Sequence, residues 1–251
     1  MTASIEAKGL TIAFPLYHAP ARSLKKRLLA KAGIRVQTDE SNRVVVQALR
    51  GLDFSIRRGE RVGLVGHNGA GKTTLLRVLA GIYEPVCGSL RVEGEIGSLI
   101  DPGAGMDPDS TGRENIRLRA LYRNMDPAGA AALEEEAAAF SGLGEFLDVP
   151  IRGYSAGMAV RLSFAMATAI RPEILLMDEW FLAGDADFVG RAEERLARLV
   201  AEADILVLAT HETSIIRRWC TRVLRLDAGR LVEDGTPDEV LGSLNIAESD
   251  A

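Results

Sequence analysis

The chain has 251 residues, of which 47% are hydrophobic and 26% charged, and this composition excludes a disordered, a collagen-like and a disulfide-stapled protein. The formal net charge of −5 argues against nucleic acid as the main partner, and no apolar stretch approaches the ~20 residues that span a bilayer. The first ten residues lack the apolar centre of a signal peptide, and the two cysteines, Cys87 and Cys220, lie far apart, which indicates a reduced compartment.

The first hundred residues favour strands over helices. Strands are predicted over 5–14, 44–56 and 61–65, and the third leads into a glycine-rich turn and a helix over 72–80. Short strands follow over 89–100. A basic segment interrupts this pattern, because residues 7–38 contain seven basic side chains and no acidic one. Leucines at helical spacing within it predict a helical insert near residues 20–35.

The composition changes after residue 100. Residues 102–172 are rich in Ala, Glu and Gly, and helices are predicted over 128–140 and 155–170. Apolar runs typical of strands return later, at 174–177, 205–209 and 223–226, with a hairpin turn at 227–229. This alternation favours an α/β fold. We predict a nucleotide-binding core made of residues 1–100 and 173–251, and a helical subdomain over 101–172.

The most specific local pattern is GHNGAGKT, residues 66–73, which fits the phosphate-loop motif. A shuffled chain of this composition would contain about 0.004 such matches, so a glycine-rich turn that merely caps a helix is the weaker interpretation. Glycines let successive N–H groups turn toward phosphate oxygens, and the following helix adds the positive end of its dipole. Lys72, the only lysine after residue 31, would contact the β- and γ-phosphates, and Thr73 would bind Mg²⁺. The residues assigned to nucleotide binding here are Gly66, His67, Asn68, Gly69, Ala70, Gly71, Lys72, Thr73 and Thr74.

Two acids and a histidine follow later apolar runs. Asp178 and Glu179 end the run ILLMDE, and the carboxyl end of a buried parallel strand is where ligand sites of α/β proteins lie. Asp178 would hold Mg²⁺, and Glu179 would polarise the water that attacks the γ-phosphate. His211, after the run 205–210, would contact the γ-phosphate and sense its loss. Alone, each would be read as a solvated strand end or a packed histidine, and the phosphate loop upstream favours the catalytic interpretation.

These segments, with YSAGM at 154–158 between them, resemble the ATP-binding subunits of ABC transporters over nearly the whole chain. The resemblance implies a P-loop NTPase (RecA-like) core, with a mixed sheet, an antiparallel β portion and an inserted α-helical subdomain. Ser155 is suited to cap the helix that follows it. In the family, the segment at Ser155 and Gly157 meets the ATP held by a second copy, and Asp185 occupies the Asp-loop position. ATP and Mg²⁺ are the implied cofactors, and a homodimer with two sandwiched ATP molecules is the implied assembly.

Four longer segments look like those of polysaccharide exporters, which move O-antigen, capsule or teichoic acid chains: YSAGMAVRLSFAMA, DPGAGMDPDSTGRENI, DEWFLAGDADF and ARSLKKRLLAKAGI. The resemblance implies an ATPase that powers export of a lipid-linked polysaccharide through a separate transmembrane permease, from the cytoplasmic face of the plasma membrane. The alternatives are another cargo, such as a lipid, drug or small molecule, and a soluble ATP-dependent interaction switch.

Some positions depart from the family pattern or leave alternatives open. Asp101 stands where most members have Gln, and it would reach Mg²⁺ through water. Ala156 replaces the usual first glycine of the signature. Phe14 or Tyr17 would stack on adenine, although either could instead be a packing or surface aromatic. The basic segment is either a solvated helix, attracted to an anionic membrane, or a border of the path by which the glycan enters.

Overall fold

A computed structural model describes residues 2–15, 36–38, 44–179 and 186–249. The chain forms two compact units. The core unit consists of Met1–Glu95, Leu176–Glu179 and Asp204–Ala251, and the helical unit of Ile96–Leu175 and Trp180–Ala203. In chain order the described strands and helices are β1 (Ser4–Pro15), β2 (Val36–Thr38), β3 (Val44–Arg57), β4 (Arg61–Val65), α1 (Lys72–Leu79), β5 (Cys87–Glu93), β6 (Ile96–Leu99), α2 (Gly112–Tyr122), α3 (Pro127–Ser141), α4 (Ala156–Thr168), β7 (Ile174–Asp178), α5 (Ala186–Glu202), β8 (Ile205–Ala209), α6 (Thr213–Trp219), β9 (Arg222–Asp227), β10 (Arg230–Gly235) and α7 (Pro237–Ser249).

The antiparallel sheet of the core unit has the strand order β2–β3–β1–β5. Ile5 of β1 lies opposite Ile56 of β3, and Ala7 lies opposite Phe54. These four side chains are buried, whereas the intervening Glu6 is exposed. Alternate residues of a strand point to opposite faces of the sheet, which explains this pattern. The antiparallel portion expected from the sequence is therefore present.

A second sheet of the core unit carries its strands in the order β10–β9–β4–β8–β7. Strand β4 pairs in parallel with both β8 and β9, so the carboxyl ends of these three strands share one edge. All five residues of β8 have no exposed surface, which is why this strand reads as a continuous apolar run. The turn between β9 and β10 contains Ala228 and Gly229, both with positive φ, and confirms the predicted hairpin turn.

Helix caps set the limits of the helical unit's main helices. Thr111 and Glu114 form a capping box at the start of α2, and Asp126 caps α3, whose first residue is Pro127. The hydroxyl oxygen of Ser155 accepts a hydrogen bond of 3.2 Å from the N–H of Met158, which confirms the predicted cap of α4. Residues from all three helices share one buried cluster that includes Ile116, Leu133, Ala137, Leu162 and Met166.

The boundaries between the two compact units differ from the predicted domain boundaries at residues 101 and 172. Strand β6 and helix α5 belong to the helical unit, beyond the predicted subdomain of 101–172. Helix α5 joins this unit through Phe188, whose ring centroid lies 5.8 Å from that of Phe140 and 5.9 Å from that of Phe164. Such aromatic pairs link segments far apart in sequence, which the local pattern does not reveal. Across the described residues, no helix combines the length and the apolar character needed to cross a membrane.

Candidate functional site

The phosphate loop lies between β4 and α1 in the core unit. Gly66, Gly69 and Gly71 have φ of 147°, 82° and 113°, values that residues with a side chain rarely adopt. At Gly66 a Cβ would also stand 2.2 Å from the carbonyl oxygen of Leu226. At Gly71 it would stand 3.0 Å from that of Ala48. Gly66 is thus required by a close backbone contact as well as by its dihedral angle, and Gly71 combines its dihedral angle with a tight fit against Ala48.

Lys72 begins α1, and its side chain turns back toward the loop. Its Nζ donates to the carbonyl oxygens of Gly66, at 2.6 Å, and of His67, at 3.2 Å. Burial lowers the pKa of Lys72, and the negative charges of Asp178 and Glu179 act in the opposite direction. The loop therefore holds a partly desolvated cation, which an incoming anion would stabilise.

A cavity of about 610 Å³ opens above the loop, entirely within the core unit. Its walls come from the phosphate loop and α1, the ends of β7 and β8, strand β3 and the turn after β9. The lining residues are Val46, Gln47, Ala48, Arg50, His67, Asn68, Gly69, Gly71, Lys72, Thr73, Thr74, Asp178, Glu179, His211, Asp227, Ala228 and Gly229. Lys72, Thr73, Asp178, Glu179 and His211, which were predicted from separate segments, thus meet in one cavity.

Glu179 and His211 face each other at the carboxyl edge of the sheet. The Glu179 Oε1 and His211 Nε2 atoms are 3.7 Å apart, and each side chain is about half exposed. Glu179 has a φ of 59°, and its N–H donates to the carbonyl oxygen of Ala209 at 2.7 Å. A non-glycine residue in the left-handed region is strained, and such strain persists where the surrounding structure enforces it, often at functional sites. The carboxylate is therefore held at the cavity beside the imidazole.

The oxygen atoms of Thr73 and Asp178 suit Mg²⁺. This ion takes one or two protein oxygens and completes its shell with water and phosphate oxygens. Such a site needs no cluster of protein ligands, and no group of three or more His, Cys, Asp or Glu that could hold a metal occurs in the described part of the chain. The donor set at this cavity therefore fits a magnesium ion bound together with a nucleotide.

Three predicted site residues are not part of the cavity lining. Gly66 and Ala70 do not line this cavity, and the buried Ala70 accepts a hydrogen bond from the N–H of Gly229 through its carbonyl oxygen. Phe14 is also absent from the lining, and its ring packs edge-on against Tyr83 with centroids 5.0 Å apart. Its stacking on adenine stays a prediction.

The remaining predictions concern other parts of the chain. Asp101, Ser155 and Gly157 belong to the helical unit, and their roles with nucleotide stay predictions. Tyr17, Asp185 and the predicted helical insert near residues 20–35 lie outside the described residues.

Comparison with known proteins decides the family. Residues 49–182 match the family described as ABC transporter. The chain belongs to the ABC transporter family. It is 43% identical over 232 residues to the O-antigen export system ATP-binding protein RfbE of Yersinia enterocolitica, covering 92% of this chain and 97% of that protein. The resemblance found in the sequence is confirmed, and as an ABC ATPase the protein binds nucleotide and hydrolyses ATP.

Two further comparisons extend this result. The teichoic acids export ATP-binding protein TagH of Lactococcus lactis is 35% identical over 237 residues, which cover 94% of this chain but 49% of TagH. The dimeric structure of the ATP-binding cassette MJ0796, in a post-hydrolysis state bound to ADP and Pi, aligns with a TM-score of 0.68 and 18% identity. It covers 93% of this chain and 98% of that structure. This ABC cassette confirms the predicted fold class.

The cavity of this ABC protein also has walls that the sequence motifs did not indicate. Gln47 and Arg50 of β3, and Asp227, the last residue of β9, all line it. The hairpin turn at 227–229 was predicted from its local sequence, but nothing local shows that it meets the phosphate loop some 160 residues earlier. The pairing of β4 with β9, which the local sequence does not reveal, brings the two together.

Proposed function

We propose that this protein is the ATP-hydrolysing subunit of an exporter of a cell-surface polysaccharide. Two copies would sandwich two ATP molecules and act on a separate transmembrane permease at the cytoplasmic face of the membrane. The observation that carries the catalytic part is the single cavity shared by Lys72, Asp178, Glu179 and His211. The cargo is proposed from the names of the relatives, which are export proteins for O-antigen and teichoic acids.

The chemistry of each cavity residue suits one step of ATP binding or hydrolysis. Lys72 and the loop N–H groups would bind the β- and γ-phosphates as point charge and dipoles. Glu179 would accept a proton from the attacking water while the water oxygen forms a bond to the γ-phosphorus. The bond between the γ-phosphorus and the β-phosphate oxygen breaks, and ADP leaves. His211, 3.7 Å from Glu179, would hydrogen-bond the γ-phosphate and lose that partner on release.

Magnesium and the second copy complete the proposed site. Thr73 and Asp178 would hold Mg²⁺, with Asp101 as a more distant ligand through water, and the ion would neutralise phosphate charge. Ser155 and Gly157, at the N-terminus of α4, would bind the γ-phosphate of ATP held by the other copy, because a helix N-terminus attracts anions. Hydrolysis would remove that shared contact and loosen the pair.

The Glu179→Gln variant tests the catalytic assignment. Glutamine keeps the shape but takes up no proton, so ATP turnover should fall by a factor on the order of 10² or more while ATP affinity is retained. Steady-state phosphate release and equilibrium binding measure the two quantities. Glu84→Gln, an exposed acid of the core unit that does not line the cavity, is the matched control. Wild-type turnover by Glu179→Gln would remove Glu179 from the reaction.

A reconstitution tests the cargo. The protein should form a stable complex with its permease in liposomes, and a lipid-linked polysaccharide should stimulate ATP hydrolysis. Stimulation by a phospholipid or a small drug, with none by the glycan, would establish one of the alternative cargoes. A protein that associates with no membrane partner would instead favour the soluble switch.

A further inference from the structure

The end of strand β9 and the turn that follows it contact the phosphate loop at two backbone positions. The Leu226 carbonyl oxygen occupies the space beside Gly66, where a Cβ would come within 2.2 Å. The N–H of Gly229 donates to the carbonyl oxygen of Ala70 at 2.9 Å. Strand β9 and its turn therefore support the phosphate loop near both of its ends through backbone contacts.

A side-chain contact lies between these two backbone contacts. The Nε2 atom of His67 is 3.0 Å from the Oδ1 atom of Asp227, and the Nδ1 atom of His67 is 2.7 Å from the carbonyl oxygen of Asn68. The Asp227 carboxylate oxygen and the Asn68 carbonyl oxygen are both acceptors, so a ring N–H of His67 is the donor in each contact. The contact with Asp227 is charge-assisted, because its acceptor is a carboxylate.

His67 also contacts Lys72, the lysine that would bind phosphate. The carbonyl oxygen of His67 accepts a hydrogen bond from Lys72 Nζ, and it also accepts one from the N–H of Ala70. The His67 backbone thus helps to place the ammonium group, and its side chain is fixed by Asp227. Asp227 can influence the bound phosphates through this link, although it is an acid on the wall of an anion site.

We propose that Asp227 is a positioning residue for nucleotide binding, which acts by holding His67 and with it the backbone of the phosphate loop. The proposal rests on the proposed nucleotide site. If the carboxylate of Asp227 had no partner, it would only repel phosphate, and its removal would strengthen nucleotide binding. Because the carboxylate is paired with His67, its removal weakens nucleotide binding. Both side chains are more than half exposed, with 59% and 56% of their surfaces accessible, so the expected effect is modest.

A double-mutant cycle on the full chain tests this link, with ADP as the probe because ADP binding requires no hydrolysis. Asp227→Ala and His67→Ala should each raise the Kd for ADP about two- to fivefold, and the double variant should bind no more weakly than either single one. Asp227→Asn keeps an acceptor oxygen and should recover part of the loss. In ATPase assays KM should rise while kcat stays within about twofold of wild type.

Glu6→Gln is the matched control. Glu6 is also a half-exposed acid of the core unit, paired with Lys8 at 2.7 Å, and it does not line the cavity. Tighter or unchanged ADP binding by Asp227→Ala and Asp227→Asn would overturn the proposal. The proposal would also be overturned if Asp227→Ala weakened ADP binding equally in wild-type protein and in His67→Ala, since the effect would then not pass through the histidine. Wild-type protein that binds no ADP would contradict the proposed function itself, an outcome distinct from both.

Discussion

Lys72 places an ammonium group in the cavity above the phosphate loop. Burial lowers its pKa, because the charged form has lost part of its hydration, and two carbonyl oxygens and two nearby carboxylates compensate in part. Since the pKa in the folded state lies below that in the unfolded chain, the charge of Lys72 destabilises the folded state at neutral pH. This destabilisation is relieved only as the pH rises through the lowered pKa. A phosphate group supplies the missing counter-charge.

Lys72→Ala should therefore lose the stabilisation that nucleotide gives. At an ADP concentration about 100 times the Kd, wild-type protein should gain about 2.7 kcal/mol, or roughly 5–10 °C in Tm. The variant should show little shift at the same concentration, since the point charge on the phosphates is gone. Differential scanning calorimetry with and without ADP measures this difference. Lys8→Ala, which removes a lysine from an exposed ion pair on β1, should keep the full shift. An undiminished shift in Lys72→Ala would show that the loop N–H groups bind the phosphates without this lysine.

At the scale of elements, the position of the loop depends on neighbours that are remote in sequence. Strand β3 contacts the turn after β9, since the N–H of Arg50 donates to the carbonyl oxygen of Gly229 at 2.8 Å. A Cβ on Gly229 would stand 2.5 Å from the carbonyl oxygen of Ala48. The turn is thus held between β3 and the phosphate loop, and a change in its backbone is transmitted to both.

Gly229→Ala and Gly81→Ala separate backbone strain from this close contact. The two glycines have similar φ, 78° and 73°, but a Cβ at Gly81 would meet nothing within 4 Å. Gly81→Ala should lower the free energy of unfolding by about 1 kcal/mol, the cost of the left-handed conformation alone. Gly229→Ala should lower it by a further 1–3 kcal/mol or so, because the turn must move away from β3. Urea unfolding measures both values.

ADP binding completes that comparison. A displaced turn no longer supports Ala70, so Gly229→Ala should bind ADP more weakly, whereas Gly81→Ala should bind it as the wild type does. Equal losses of unfolding free energy in the two variants, with unchanged ADP affinity in both, would show that the turn adjusts without disturbing the phosphate loop.

Elements were predictable from the sequence wherever one local pattern decides them. The bounds of β4 and β8 agree with the prediction, because each is a short apolar run buried on both faces. The phosphate loop and the acid pair follow from motif and spacing. Contacts between distant segments were not predictable. The pair His67–Asp227 joins residues 160 positions apart, and the packing of Phe188 on Phe140 assigns α5 to the helical unit.

The proposed nucleotide contacts of the complete molecule belong to two compact units. The cavity with Lys72 and Glu179 lies in the core unit, and the capped start of α4 lies in the helical unit. The proposed dimer assigns the second of these to the ATP bound by the partner copy. Since the cap of α4 is local to the helical unit, the dimer contact can be changed without changing the nucleotide cavity.

Gly157→Asp in the background of Glu179→Gln tests this separation. An acid in the first turn of a helix is favourable for the helix, and a Cβ at Gly157 would meet only the Ser155 hydroxyl, at 4.0 Å, so α4 should stay folded. The same carboxylate would repel the γ-phosphate of ATP bound to another copy. Glu179→Gln alone should therefore form a dimer with ATP, and the double variant should stay monomeric while each monomer still binds ATP.

Size-exclusion chromatography with light scattering, run with ATP and Mg²⁺, distinguishes the two states. Gly190→Asp in the same background is the matched control, since Gly190 lies in α5, also in the helical unit, and a Cβ there would meet nothing within 4 Å. It should leave the ATP-dependent dimer intact. If Gly157→Asp also dimerises with ATP, the start of α4 does not contact the partner's nucleotide, and the ATP-sandwiched pair must be abandoned even though the cavity in each copy still binds ATP.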